Sequence, residues 1–396
     1  MGGFTMKYDF DKIINRYGTN SVKYDLAKDY GKPEGTLPLW VADMDFQAPP
    51  CVVEALLKRT HHGIYGYTVL KPDYYKAVNT WFASRYNWDI CDDWLISTSG
   101  VVSAINIAVR ALTRLNDAII IQQPVYSPFK DAILNNGRKL VVNQLIYENG
   151  KYTIDFTDFE ERIIRENVKM FILCSPHNPV GRVWTQEELI SLGDICKKHN
   201  VLVVSDEIHA DFIYPSNKHH IFANVKPDFA DYSIICTAPT KTFNLAGLQA
   251  SNIFIPNTDI RKQFRDELKY NGYGHANVMG IVACQAAYSS GGEWLDALLE
   301  YLEGNLAFLH EFLEKHIPQI RLVKPEGTYL AWLDCNALGL NDDSLENLLV
   351  NRAGIWLNKG TIFGEGGSGF QRLNFACPRS ILEEALIRLE KAVNSK

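Results

Sequence analysis

MFILCSPHNPVGRVWTQEELISLGDICKKHNVLVVSDEIHAD, residues 170–211, is the stretch that decides the fold. It opens on an apolar run (170–174) and passes through a loop with two prolines. It then reaches Thr185-Gln186-Glu187-Glu188, a capping box that predicts a helix start. The helical pattern lasts to about residue 200, and a second apolar run, VLVVSD (201–206), ends on Asp206. Strands without polar alternation are buried on both faces, as in parallel sheets whose crossovers are helices. The same texture recurs outward in DDWLIST (92–98), DAIIIQ (117–122), DYSIIC (231–236) and SNIFIP (251–256). The pattern predicts a doubly wound α/β domain over residues 55–290.

The flanks read differently. Upstream, CVVEALLKRTHH (51–62) and PDYYKAVNTWFASRYNW (72–88) carry helical spacing. After Gly291-Gly292 come a long helical segment (293–316), strand-like RLVKPEGTYLAWLD (321–334), glycine-rich GEGGSG (364–369), strand QRLNFA (371–376) and a final amphipathic helix. This predicts a smaller α+β domain over 291–396, with residues 1–54 packing on it. A cleft between two such domains, at the carboxyl ends of the parallel strands, is where a small-molecule site is expected.

Composition narrows the function. Of 396 residues, 46% are hydrophobic and 22% charged, the balance of a folded globular protein. Lys plus Arg number 40 against 46 Asp plus Glu, so the electrostatic footprint of a nucleic-acid binder is missing. No apolar run approaches the roughly 20 residues of a membrane span, so no membrane partner is expected. The eight cysteines are scattered and never form C-x-x-C, which suits reduced, buried thiols, and MGGFTMKYDF lacks the signal-peptide pattern. A cytoplasmic protein is expected. Neither a P-loop nor G-x-G-x-x-G after a strand is present, and no histidine pair has helical zinc-site spacing, so no metal is expected.

The strand ends carry the chemistry. Ser99-Gly100-Val101-Val102 leads from a strand into a helix, offering free N–H groups to an anion. QQPVYSPF presents Tyr126, SPHNPVGRVW contributes Asn178, VLVVSD delivers Asp206 and TAPTKTFNLAGL carries Lys241. A lysine amine in a partly apolar cleft can form a Schiff base with a carbonyl. An acid beside a pyridine nitrogen keeps that ring protonated as an electron sink. Together these are what pyridoxal 5'-phosphate (PLP) requires.

In this order, SPHNPVGR, SDEIHAD and APTKTFNLAGL resemble the fold type I PLP-dependent enzymes. With PLWVADMDF (38–46), YGYT (65–68), SGVVSAI (99–105), EGTYLAWLD (326–334) and QRLNFACP (371–378), the chain resembles the MalY/PatB-type cystathionine β-lyases, or cysteine-S-conjugate β-lyases. The resemblance implies a large domain with a mostly parallel seven-stranded sheet between helices, plus a smaller α+β domain. It implies that Lys241 holds PLP covalently and takes the substrate's Cα proton. Asp206 would pair with the pyridinium nitrogen, Asn178 would bond the phenolic oxygen, and Tyr126 would stack on the ring. The backbone of Gly100, Val101 and Val102 would hold the phosphate, with the Thr240 hydroxyl and with Tyr65 from a partner subunit, hence a homodimer. Arg372 would clamp the substrate carboxylate, Ala42 and Asp43 would line the same pocket beside Asn178 and Tyr65, and His209 would support the site from behind.

One departure stands out: Ala238 occupies a position where many fold type I enzymes have serine, and Gly247-Leu248-Gln249 follows where they have a phosphate-binding arginine. The implied activity is elimination of L-cystathionine or related cysteine S-conjugates, extending to L-cysteine, to thiol, pyruvate and ammonia. The alternatives are a class I/II aminotransferase and a PLP-binding regulatory protein acting through a protein partner.

Overall fold

The computed structural model describes residues 8–395. Seven strands form one sheet: β1 (Leu95–Thr98), β2 (Ala118–Gln123), β3 (Lys139–Gln144), β4 (Met170–Cys174), β5 (Leu202–Asp206), β6 (Ser233–Thr237) and β7 (Ser251–Phe254). Their order is β1-β7-β6-β5-β4-β2-β3. All run parallel except β7, which is antiparallel to both neighbours. The reversal has a local cause. Residues 238–250 hold only one helical turn and one 3-10 turn, with no crossover helix to carry the chain back across the sheet. β3 was not among the predicted strands because it is a half-exposed edge strand, Lys139 being exposed and Val141 buried, rather than a continuous apolar run.

Consecutive side chains of the inner strands enter opposite cores, as strand geometry requires. In β4, Phe171 and Leu173 face one side and Met170, Ile172 and Cys174 the other. Each such fully buried aliphatic or aromatic side chain contributes about 1.5–3 kcal/mol. Helices cover both faces. The helix Val101–Leu112 buries Ala104, Ile105 and Ala108 on the second. The helix Gln186–Lys198 starts with the expected capping box: the Glu188 N–H donates to Thr185 Oγ1 at 3.2 Å and the Thr185 N–H to Glu188 Oε2 at 2.8 Å.

A second, fully antiparallel sheet has the order β8 (Arg321–Val323), β9 (Leu330–Asp334), β11 (Phe370–Asn374), β10 (Asn358–Lys359). RLVKPEGTYLAWLD is therefore two strands joined by a loop. The upstream chain reaches this part of the molecule through Leu37–Pro38, which pairs in parallel with Ile355–Trp356, and through Trp40, stacked on Trp356 at 4.1 Å. That contact sets the course of residues 39–46 toward the open ends of the main sheet. Among the described residues, no helix is long and apolar enough to cross a membrane.

Candidate active site

The carboxyl ends of β1, β2, β4, β5 and β6 open into a cavity of about 530 Å³, closed on its far side by the small sheet and residues 40–42. The cavity brings together Gly100, Val101, Val102, Tyr126, Asn178, Asp206, His209, Thr240, Lys241, Arg372 and Ala42. Two predicted residues are not among its lining. Tyr65 lies half-exposed on the surface with its hydroxyl 3.5 Å from the Thr60 carbonyl. Asp43, expected to line the pocket, instead turns its carboxylate to the Arg16 guanidinium, at 2.6 and 3.1 Å. Its neighbour Asp45 accepts from Arg16 at 2.7 Å and from the buried Lys23 at 2.8 Å, so a network of cations diverts the acid.

Lys241 sits in the helical turn Pro239–Thr242 directly after β6, and its Nζ donates to the Ala42 carbonyl at 2.5 Å. Burial, aided by the nearby Arg372 charge and opposed by Asp43 and Asp206, pulls its pKa down to about 8. Asp206 ends β5, level with Cys174 and Cys236 on the adjacent strands. It accepts the Ile208 N–H at 3.2 Å. Burial, with Glu207 adding to it and the Ile208 N–H and Lys241 opposing, pushes its carboxyl up to about 7. Burial and the positive charges of Lys241 and Arg372 hold His209 well below its ordinary value, so its imidazole is neutral. Its ring packs edge-on against Tyr329 at 5.8 Å.

Arg372 projects from β11. One Nη donates to Asn178 Oδ1 at 3.0 Å, the other to the Trp40 carbonyl at 2.9 Å and to Asn358 Oδ1 at 2.5 Å, with the Phe363 ring 4.9 Å away. All these partners are neutral, Nε has none among the described residues, and burial lowers the pKa to about 10. A buried cation without a counter-ion is unfavourable unless a ligand supplies one. The main-chain N–H of Tyr126 bonds the Asn178 carbonyl at 3.1 Å, tying the loops after β2 and β4 together.

Gly100, at φ +152°, lets the chain turn from β1 into the helix Val101–Leu112, whose first residues line the cavity. A Cβ there would meet nothing within 4 Å, so the head of the helix is open to a ligand.

Trp40, Asn358, Tyr329 and Phe363 were not singled out from the sequence. Tyr329 lies in the EGTYLAWLD motif, which offered a signal. Asn358, in the unremarkable WLNKG (356–360), offered none.

The profile of the family "Aminotransferase class I and II" matches residues 35–389. Cystathionine beta-lyase PatB of Bacillus subtilis (strain 168) is 43% identical over 386 residues, 98% of this chain and 100% of that protein. Cystalysin from Treponema denticola, a structure that contains a pyridoxal 5'-phosphate cofactor, superposes with a TM-score of 0.94 at 41% identity, covering 98% of this chain and 99% of that one. The PLP-bound C-S lyase from Staphylococcus hominis superposes at 0.93 with 36% identity, covering 100% of each chain. With the lysine, the buried acid and the arginine in one cavity of this fold, the chain belongs to the class I and II aminotransferase family, in the branch of the PatB-type cystathionine β-lyases.

Proposed function

We propose that the protein is a PLP-dependent carbon–sulfur β-lyase that cleaves L-cystathionine or related cysteine S-conjugates to a thiol, pyruvate and ammonia. The observation that carries this reading is the meeting of Lys241, Asp206 and a counter-ion-free Arg372 in one cavity. The donor set fits the cofactor: an amine poised near neutrality, a buried carboxyl with a single N–H for company, and an open helix N-terminus at Gly100. Bound there, PLP supplies an electron sink for the pair left when a substrate Cα–H bond breaks.

The chain's residues do the rest. Arg372 receives the α-carboxylate as a planar, two-pronged donor, which orients the amino acid in the cleft. Lys241 anchors the cofactor and then, with its lowered pKa, accepts the Cα proton. The ionised form of Asp206 holds a proton on the ring nitrogen. With Oδ1 accepting from Arg372, the Asn178 amide nitrogen remains to donate to the phenolic oxygen. Tyr126 supports the ring face, and neutral His209 closes the site from behind. Gly100, Val101, Val102 and Thr240 hold the phosphate, completed by Tyr65 of a second subunit in a homodimer. Ala42 borders the substrate through its carbonyl, with Asp43 acting at one remove. Among the described residues the lining holds one arginine, Arg372, the group that receives the α-carboxylate. All eight cysteines are free and six are buried, in keeping with a reducing cytoplasm.

The test is to mix PLP-loaded protein with L-cystathionine, without any keto acid, and assay pyruvate, ammonia and free thiol together. Equal amounts of all three are expected. A new amino acid formed only when a keto acid is added would make the protein a transaminase instead, and silence in both assays would leave the regulatory alternative.

A further inference from the structure

Residues 39–46 carry two carbonyls to the two functional cations. The Trp40 carbonyl accepts from Arg372 at 2.9 Å and the Ala42 carbonyl from Lys241 at 2.5 Å. What holds this segment is visible on β11. Asn374 lies two residues beyond Arg372, on the same face of the strand, and is fully buried. Both hydrogens of its amide are used on the segment, donated to the Val41 and Asp43 carbonyls at 2.6 Å each. Its Oδ1 accepts the Ala376 N–H at 2.8 Å, which locks the amide's own orientation. The main chain adds bonds from the Asn374 N–H to the Leu39 carbonyl and from the Asp45 N–H to the Ala376 carbonyl. The carbonyls on either side of Ala42 are thus pinned to β11, and the one between them meets Lys241 and the Tyr329 hydroxyl, the latter at 2.9 Å.

We infer that Asn374 is a positioning residue for Lys241: it fixes residues 41–43 so that the Ala42 carbonyl receives Nζ and aims the amine. The inference deepens the proposed reading and rests on Lys241 as the proton carrier. An amine that shuttles a proton between substrate carbon and solvent gains from one fixed acceptor, because a misplaced proton carrier loses rate steeply with small displacements. Ordinary structural duty would require only that the two carbonyls be satisfied, and would leave the proton-transfer step alone.

The experiment is solvent-deuterium exchange at Cα of L-alanine, followed by NMR on the full-length, PLP-loaded protein. L-Alanine has no leaving group, so the choice between lyase and transaminase drops out. Asn374→Ala should keep the visible band of the bound cofactor and a KM within about twofold of the parent. Exchange should slow by roughly tenfold to a hundredfold, the span of one hydrogen bond to a charged group. The isotope effect with α-deuterated substrate should rise. Asn374→Ser, with one donor left, should fall between.

Exchange within twofold of the parent in Asn374→Ala overturns the inference. Should neither fold, Tyr329→Phe decides, because it removes the hydroxyl donor from the Ala42 carbonyl that lies between the two Asn374 pins. Slowed exchange with an intact band sustains the inference, and an unchanged rate overturns it. Lys241→Ala separates the two levels: exchange persisting there removes the reading of Lys241 itself, whereas exchange lost there but kept in the Asn374 variants removes only the role of Asn374.

Discussion

The Arg372 guanidinium on β11 donates to the Asn178 amide at the end of β4 across 3.0 Å, joining the small sheet to the main one inside the cavity. Its other bonds go to a carbonyl and a second amide. A buried cation with only neutral partners is a receptor for an anion, and the two-pronged guanidinium suits a carboxylate.

Arg372→Ala should therefore raise KM for α-amino acids by roughly tenfold to a hundredfold, the range of a hydrogen bond to a charged group, with a smaller change in kcat. Arg372→Lys, a point charge without the fork, should recover part of the loss. Steady-state kinetics with cystathionine and L-cysteine decide, and an unchanged KM would move the carboxylate site elsewhere.

Asp206 gives a pH signature to the cofactor-free chain. Its carboxyl is pushed up to about 7 by burial, so between pH 4 and 7 the folded state binds a proton that the unfolded chain has released. Stability due to this group therefore falls as pH rises through that window, at no more than about 1.4 kcal/mol per pH unit. The difference in unfolding free energy between the native chain and Asp206→Asn should move against the native chain from pH 4 to 7 and level off above. Loading with PLP should remove the slope, since a ring cation beside the carboxylate holds it ionised. Parallel pH curves for the two apoproteins in urea unfolding would contradict the assignment.

Much of the site was legible because its residues follow apolar strands in sequence. Asn178, Asp206 and Lys241 each sit within about four residues of a strand end, so a local pattern locates them. The rest depends on contacts that local pattern cannot express. Trp40 and Arg372 lie 332 positions apart and meet only because Leu37–Pro38 pairs beside Trp356. Asp43, read from its motif as a pocket residue, is drawn away by Arg16, 27 positions upstream in a stretch with no pattern of its own. The reversal of β7 and the half-exposed edge strand β3 escaped for a related reason. Apolar texture reports burial, whereas direction follows from the connection and an edge is buried on too few sides to leave a continuous run.

Gly100 combines φ +152° with ψ +160°, a region close to glycine-only. Space is not the obstacle, since an added Cβ would touch nothing within 4 Å. Gly100→Ala should then act through backbone strain of about 1–3 kcal/mol. Either Tm falls or the turn relaxes and withdraws N–H groups from the cavity. The second route predicts PLP affinity weakened by about tenfold or more while Tm of the cofactor-free protein stays near the parent. Fluorescence titration with PLP beside a melting curve separates them, and a variant normal in both would show the turn to be unimportant.

Tyr65 is half-exposed and lies outside the cavity of its own chain, so its proposed role requires a second subunit, and subunit mixing can test it. In a homodimer whose sites each combine Lys241 of one chain with Tyr65 of the other, Lys241→Ala and Tyr65→Ala should each be weak or inactive alone. Co-expressed, they form mixed dimers in which one site carries both defects and the other carries neither. With random pairing half of the dimers are mixed and half of their sites intact, so activity should recover to about a quarter of the parent. If Tyr65 instead served its own chain, every site in a mixed dimer would carry one defect and mixing would give only the average of the two variants. A melting curve of Tyr65→Ala shows whether the variant is folded, and recovery of activity on mixing is the discriminating readout.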